Sequence, residues 1–123
     1  MKPTPSTGFR IMASDYKNIA KLVGATGDVV IYTCPTSTQA IIKNIILYNS
    51  HSGSIVVYPK ITDSSASLTV TLRKVTIATL ASTSESADTS LTGPFVLESG
   101  DTLILNCDTA SKIYAFSSVL EIS

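Results

Sequence analysis

The sequence of 123 residues lacks tryptophan and contains one histidine, two cysteines and few charged residues. Asp, Glu, Lys and Arg make up 15% of the chain, against the roughly 25% usual for soluble domains. The formal net charge is zero. Nucleic-acid binders normally carry a basic patch or stripe, whereas the only adjacent basic pair here is Arg73-Lys74. We therefore expect no nucleic-acid partner.

Long apolar runs are also missing. A typical run is Ile45-Ile46-Leu47-Tyr48, far shorter than the roughly 20 residues that a membrane-spanning helix needs. Residues 1–8 contain one lysine and no apolar segment of the kind found in signal peptides. We predict neither a membrane association nor a secretion leader. Mean hydropathy is nevertheless +0.31, and this surplus favours burial of apolar surface against other chains.

The two cysteines, Cys34 and Cys107, form no Cys-x-x-Cys pair, and a single histidine, His51, cannot complete a zinc site with them. In the absence of a secretion leader we predict two buried free thiols.

Residues for catalysis are equally scarce. His51 lies in a Ser/Gly turn, and no Gly-x-Ser-x-Gly motif occurs. The two carboxylate pairs, Glu85 with Asp88 and Glu98 with Asp101, have turn-like contexts in which Asp bonds the local backbone. We therefore predict a protein that is not an enzyme and that has no cofactor and no metal.

What the chain does contain is hydroxyl groups and strand patterns. Serine and threonine number 34 together. Strands are predicted at 17–23, 28–33, 38–49, 54–62, 68–80, 95–97, 102–107 and 113–122. Alternation slips at Arg73-Lys74, which indicates a bulge or a break into two strands. Residues 81–92 form a loop or an edge strand. Four of the five tyrosines fall in these strands, where packing at the edge of the core is expected: Tyr32, Tyr48, Tyr58 and Tyr114.

Many short strands without a helical pattern predict an all-β fold, an antiparallel β-sandwich of jelly-roll-like or Ig-like type. The predicted organisation is an extended N-terminal arm, residues 1–16, followed by a β-sandwich domain, residues 17–123. Within the sandwich, Gly100 permits a positive φ in a turn, and Asp101 can bond backbone amides there. Gly93-Pro94 is expected to interrupt the backbone before a strand that begins at Phe95.

Two stretches resemble small virion proteins of tailed bacteriophages. The first is Val30-Ile31-Tyr32-Thr33-Cys34-Pro35, followed by Gln39-Ala40-Ile41-Ile42-Lys43-Asn44-Ile45-Ile46-Leu47-Tyr48-Asn49. The second is Gly93-Pro94-Phe95-Val96-Leu97-Glu98-Ser99-Gly100-Asp101-Thr102-Leu103. The resemblance covers roughly residues 28–122. Its motifs are strand and turn motifs, and they identify a fold and a viral context better than a role.

The resemblance implies a capsid decoration (cement) protein that is assembled in the host cytoplasm and sits on the outer surface of the capsid. Its partners would be the major capsid protein and further copies of itself, as a homo-oligomer for which we expect a trimer. The N-terminal arm would supply contacts between subunits through Phe9, Ile11, Met12 and Tyr16. The alternative is a tail, neck or fibre component that binds the host surface through loops such as 49–53 and 81–92.

Overall fold

The computed structural model describes residues 14–81 and 91–123, with side chains described throughout except at 91–93. These residues form nine strands: β1 (Ser14–Leu22), β2 (Gly27–Thr33), β3 (Gln39–Asn49), β4 (Ile55–Asp63), β5 (Leu68–Thr71), β6 (Val75–Ile77), β7 (Leu91–Leu97), β8 (Thr102–Cys107) and β9 (Ile113–Ile122). Within these ranges no helix is long and apolar enough to cross a bilayer. The predicted all-β class is confirmed.

The strands form two antiparallel sheets that pack face to face. The first sheet has the order β1-β9-β3-β7, and the second has the order β2-β8-β4-β5, with β6 also paired to β4. If β5 and β6 count as one interrupted strand, this is the eight-strand, two-sheet order of a jelly roll. Most consecutive strands cross from one sheet to the other, unlike the sequential pairing of Ig domains. Of the two predicted sandwich types, the jelly roll is the one observed.

The core lies between the two sheets and follows from period-2 alternation. In β9 the burial alternates strictly over Ile113, Tyr114, Ala115 and Phe116, so that the first and third side chains are buried and the others are exposed. Complete burial of an aliphatic side chain stabilises the fold by about 1.5–3 kcal/mol. The largest fully buried side chains are Ile42, Leu47, Ile55, Ile77, Leu97, Leu103, Leu105, Ile113, Val23, Val57, Val75 and Val119.

The break between β5 and β6 has its cause in Pro59 of β4. In an antiparallel strand the amide and the carbonyl of one residue point to the same side. The Pro59 carbonyl accepts a hydrogen bond from the Leu72 amide at 2.8 Å, so the proline nitrogen, which has no hydrogen, faces this neighbour too. Because the proline nitrogen cannot donate a hydrogen bond, the ladder between β4 and this neighbouring strand is interrupted at Pro59. The phase slip predicted at Arg73-Lys74 is therefore a break into two strands.

One strand is unusually exposed, and one strand prediction is wrong in detail. Both faces of β5, which begins the predicted strand 68–80, are exposed, because β5 pairs only with the half-exposed end of β4, Lys60–Asp63. Gly93-Pro94 does not precede its strand but lies inside β7. There the register against β3 shifts between Ile42 and Asn44, and a bulge in an edge strand tolerates proline.

At the N-terminal side, β1 begins at Ser14, before the predicted start at Lys17. The remainder of the predicted arm, residues 1–13, lies outside the described residues.

The two cysteines are free and buried, as predicted. Cys34 and Cys107 each expose about 1% of their surface. Burial raises the pKa of the Cys107 thiol to about 11 and also raises the pKa of Cys34. Both thiols therefore stay protonated at neutral pH and serve as core side chains.

One end of the sandwich is closed by a polar network between the two sheets. The Tyr32 hydroxyl of β2 donates to Glu121 Oε2 of β9 at 2.5 Å, and Lys17 Nζ of β1 lies 2.9 Å from Glu121 Oε1. The bond from Tyr32 lowers the pKa of the Glu121 carboxyl, burial opposes this, and Lys17 lowers the pKa further, so the net shift is downward. Burial is the largest cause of the raised Tyr32 pKa, ahead of Glu121.

We expect Tyr32→Phe to lower the free energy of unfolding by about 2 kcal/mol at neutral pH, because the buried carboxylate loses a donor. A lowered native pKa stabilises the fold above the unfolded-state pKa, and this stability is lost as the pH falls through the native pKa. The difference between wild type and variant, measured by urea unfolding, should therefore shrink at about pH 3.

The control is Tyr58→Phe, since the Tyr58 hydroxyl has no hydrogen-bond partner among the described residues. An equal loss in both variants would contradict a specific role for the network.

Candidate functional site

The turn that contains His51 has a structural role. The His51 amide donates to Asn49 Oδ1 at 2.8 Å, and its carbonyl accepts a hydrogen bond from the Thr79 hydroxyl. The buried Asn49 amide group donates to the carbonyls of Gly53 and Ile77. No described side chain forms a hydrogen bond with the imidazole. The described residues therefore provide no nucleophile and base pair at this position.

Of the two predicted carboxylate pairs, Glu85 and Asp88 lie outside the described residues. The other pair, Glu98 and Asp101, meets a third carboxylate that the sequence did not point to, Asp63 at the end of β4. One oxygen from each of these three groups lies within 4.8 Å of the others.

Both oxygens of the Asp101 carboxylate accept hydrogen bonds from turn residues. Its Oδ1 accepts hydrogen bonds from the Ser64 amide at 2.9 Å and from the Ser64 hydroxyl at 3.1 Å. Its Oδ2 accepts from the Glu98 amide at 2.9 Å. Burial alone would raise the pKa of Asp101, but the bonds from Glu98 and Ser64 outweigh it and lower the pKa. The predicted backbone role of Asp101 is confirmed.

Gly100 completes this clamp. Its φ is +87°, and a Cβ at this position would lie 3.0 Å from the Ser64 hydroxyl oxygen. The prediction of a positive φ is confirmed. Of the three carboxylates, that of Asp101 thus ties the β4–β5 turn to the β7–β8 turn. The Asp63 carboxylate accepts hydrogen bonds from the Ser65 and Ala66 amides of its own turn.

The other notable surface is the outward side of the β1-β9-β3-β7 sheet, which we call the outer sheet face. Register pairing places its residues in five rows across three strands. The rows, each in the order β1, β9, β3, are Leu22–Tyr114–Tyr48, Ala20–Phe116–Ile46, Asn18–Ser118–Asn44, Tyr16–Leu120–Ile41 and Ser14–Ile122–Gln39. Val96 of β7 extends the fourth row, since it pairs with Ile41.

Apolar side chains dominate both halves of this face. The first two rows form what we call the aromatic end, and the fourth row with Val96 forms the Tyr16 end. Between them lies a polar row, Asn18–Ser118–Asn44. The aromatic end encloses a hollow of about 370 Å³ beside Ala20, Phe116 and Tyr48. Among the large apolar side chains that the structure describes, Tyr16 is the most exposed, at 73%.

Charge is missing from all five rows. Lys21 borders the hollow, but its ammonium donates to the Val30 carbonyl of β2 at 3.3 Å. Lys43 is exposed at the β-bulge of β3, between the buried Ile42 and the exposed Asn44, so its charge lies beside the polar row.

The outward side of the other sheet provides the contrast. There Lys60 and Asn106 both bond Asp28 Oδ1, at 3.0 and 2.6 Å, and the hydroxyls of Thr62 and Thr69 lie 2.7 Å apart. Polar outward residues are the usual pattern in a sandwich. These contacts of the second sheet follow that pattern, although its strands also expose Val30, Leu68 and Val70. The outer sheet face departs from the pattern over whole rows.

Among the predicted interface residues, Tyr16 lies on the outer sheet face, whereas Phe9, Ile11 and Met12 lie outside the described residues. Tyr48 and Tyr114 were expected at the edge of the core, yet they point outward, with 37% and 50% exposed. A signal for this face was present in the sequence, because Ile113–Ile122 has apolar residues in both phases of the alternation. Contiguous apolar patches of this kind mark interaction sites.

Comparisons with known proteins bear on the fold. No family model matches the chain, and no curated protein matches its sequence. Among solved structures, a chain from the work "Bacillus endospore appendages form a novel family of disulfide-linked pili" aligns at a TM-score of 0.54 and 15% identity, over 98% of our chain and 96% of its own. A chain from the acid-stable capsid of Helicobacter pylori bacteriophage KHP30 aligns at 0.52 and 10%, over 92% of each chain. These similarities show a shared fold.

If the carboxylate cluster is a clamp, Asp101→Asn should lower the free energy of unfolding by about 1–3 kcal/mol, because an amide nitrogen cannot accept the hydrogen bonds that the replaced oxygen accepted. Chemical unfolding followed by circular dichroism measures this. The matched control is Asp108→Asn in the exposed β8–β9 turn, which we expect to change stability by less than about 0.5 kcal/mol. Equal stability of Asp101→Asn and wild type would contradict the clamp.

Proposed function

We propose that this protein is a structural subunit of a virus particle, most specifically a decoration protein on the outer capsid of a tailed bacteriophage. The observation that carries the proposal is the outer sheet face, whose paired rows are largely apolar, contain no charged residue and are exposed on a well-packed domain. A face of this kind is stable in water only at a cost, and that cost is removed when another protein covers it. The proposal includes no enzymatic activity.

The fold supports this proposal without deciding it. Jelly rolls occur in viral capsid proteins, and also in lectins and cupins, so fold alone does not fix function. The alignment with a chain of a bacteriophage capsid adds a viral example of the same architecture at low identity. The resemblance of the Val30–Asn49 and Gly93–Leu103 stretches to phage virion proteins points in the same direction.

A filament is the other kind of assembly that the comparisons suggest, since the Bacillus chain belongs to disulfide-linked pili. The chemistry of that linkage does not fit this chain. Its two cysteines, Cys34 and Cys107, are both buried in the core, and neither thiol can reach another subunit while the sandwich is folded. This observation favours a particle held by noncovalent contacts.

The predicted location is tested by copy number. Quantitative mass spectrometry of purified phage particles should give a ratio to the major capsid protein of the order of one, because decoration sites repeat with the capsid lattice. A ratio lower by about a hundredfold would instead assign the protein to the tail, neck or a fibre. If the protein is missing from the particles, the proposed function is wrong.

The N-terminal arm gives a second test. Because β1 begins at Ser14, deletion of residues 2–13 spares every described strand. We expect this variant to fold with an unchanged unfolding midpoint, but to be lost from particles assembled in its presence, since Phe9, Ile11 and Met12 would no longer reach a neighbour. The control is Phe9→Leu, which keeps an apolar anchor. If the deletion variant is incorporated as efficiently as the wild type, the arm has no role in the proposed assembly.

A further inference from the structure

The outer sheet face has an internal symmetry that suggests its partner. The polar row Asn18–Ser118–Asn44 is the third of five rows. Large apolar side chains lie on both sides of it, at the aromatic end and at the Tyr16 end. A two-fold axis that runs along the polar row would therefore place the aromatic end of one copy against the Tyr16 end of another.

We propose that a second copy of this chain covers the outer sheet face, with the two copies related by a two-fold axis along the polar row. This dimer takes the place of the trimer expected from the resemblance. This inference rests on the proposed function, because it specifies how the structural subunit first associates. Such a contact is isologous: if one residue of the first copy touches a second residue of the other copy, the same pair also meets with the copies exchanged.

Electrostatics permits a second copy. The rows of the face contain no charged residue, and the chain as a whole has a formal net charge of zero, so the overall repulsion between two copies is small. The exposed Lys43, at the bulge beside Asn44, places a positive charge close to the axis. The polar row can also pair with the same row of a second copy. Asn side chains carry both donors and acceptors, as does the Ser hydroxyl, so two identical rows can bond one another across the axis.

The shapes of the two ends agree with this arrangement. Tyr16 and Ala20 lie two residues before and two residues after Asn18 on the same strand, so the axis places Tyr16 of one copy over Ala20 of the other. Tyr16 protrudes, with 73% of its surface exposed, and Ala20 borders the hollow of about 370 Å³. A projecting ring thus meets a hollow at both ends of the interface.

The area of the face is close to the lower limit for a stable pair. Four strands about 4.8 Å apart and nine residues long, at about 3.3 Å per residue, span roughly 19 by 30 Å, or about 570 Å² before side-chain relief is counted. Standard interfaces bury about 800 Å² per partner. Sheets pack face to face at about 10 Å with strand directions within about 30°, so the strands of the two copies can run nearly antiparallel.

The first experiment measures association in solution. Sedimentation velocity over a range of concentrations should show the full-length chain as a dimer. Phe116→Lys and Tyr16→Lys should each weaken the dimer by on the order of 30-fold or more. The matched control is Val30→Lys, an apolar residue of similar exposure on the outward side of the other sheet, which should leave the dimer unchanged. Circular dichroism checks that each variant is folded.

Three outcomes would overturn the proposal. A wild-type monomer at every concentration would mean that something other than a second copy covers the face. A trimer would exclude the two-fold arrangement. A dimer that survives both Phe116→Lys and Tyr16→Lys, or that is lost with Val30→Lys, would place the contact elsewhere.

The second experiment tests the axis itself. A residue on a two-fold axis faces its own counterpart, so Ser118→Cys should be joined to itself by a short bismaleimide within the dimer. Val30→Cys should not, and the native cysteines are too buried to react. No cross-link at position 118 in a dimeric sample would overturn the axis along the polar row. These measurements use purified protein, so their failure is separate from the copy number in particles, which tests the proposed function.

Discussion

The position of β9 between β1 and β3 is the constraint on which the rest of the structure depends. A shift of one residue in its register would exchange its two faces, so that Tyr114 and Phe116 would enter the core and Ala115 and Val119 would leave it. Both ends of the strand are fixed. At one end the Val23 amide donates to the Ile113 carbonyl at 2.9 Å, and at the other Glu121 joins Tyr32 and Lys17. The same register that builds the core also aligns the rows of the outer sheet face.

Side-chain hydrogen bonds stabilise the sheets close to their irregular positions. Where the β3 register shifts between Ile42 and Asn44, the Ser117 hydroxyl of β9 donates to the Asn44 carbonyl at 2.7 Å. Buried polar side chains are costly unless they are bonded, and no described buried side-chain nitrogen or oxygen lacks a partner. The few polar residues in the described interior therefore act as fixed points for bulges, turns and open ends.

The sequence predicted the fold class and most strands because local pattern determines them. It also predicted the positive φ of Gly100 and the backbone hydrogen bonds of Asp101, since a positive φ and an adjacent acceptor are local properties. It did not predict that Asp63 joins Asp101, because the two residues are brought together only by the packing of turns from β4 and β7. It did not identify which phase of β9 faces inward, because Tyr114, Phe116, Ala115 and Val119 are all apolar. The exposure of β5 was missed for a related reason: alternation shows that a strand has an apolar side, but not whether another layer covers it.

This last point connects the fold to the proposed role. A β-sandwich buries one side of each sheet, and in a monomer the other sides are expected to be polar. Here the Asp28, Lys60 and Asn106 contacts meet that expectation on one sheet, while the opposite sheet presents aromatic and aliphatic rows to solvent. Stability of the single domain does not require those rows, because the core is complete without them. Under the proposed function, these rows are covered by another folded protein, which forms a third layer through noncovalent contacts.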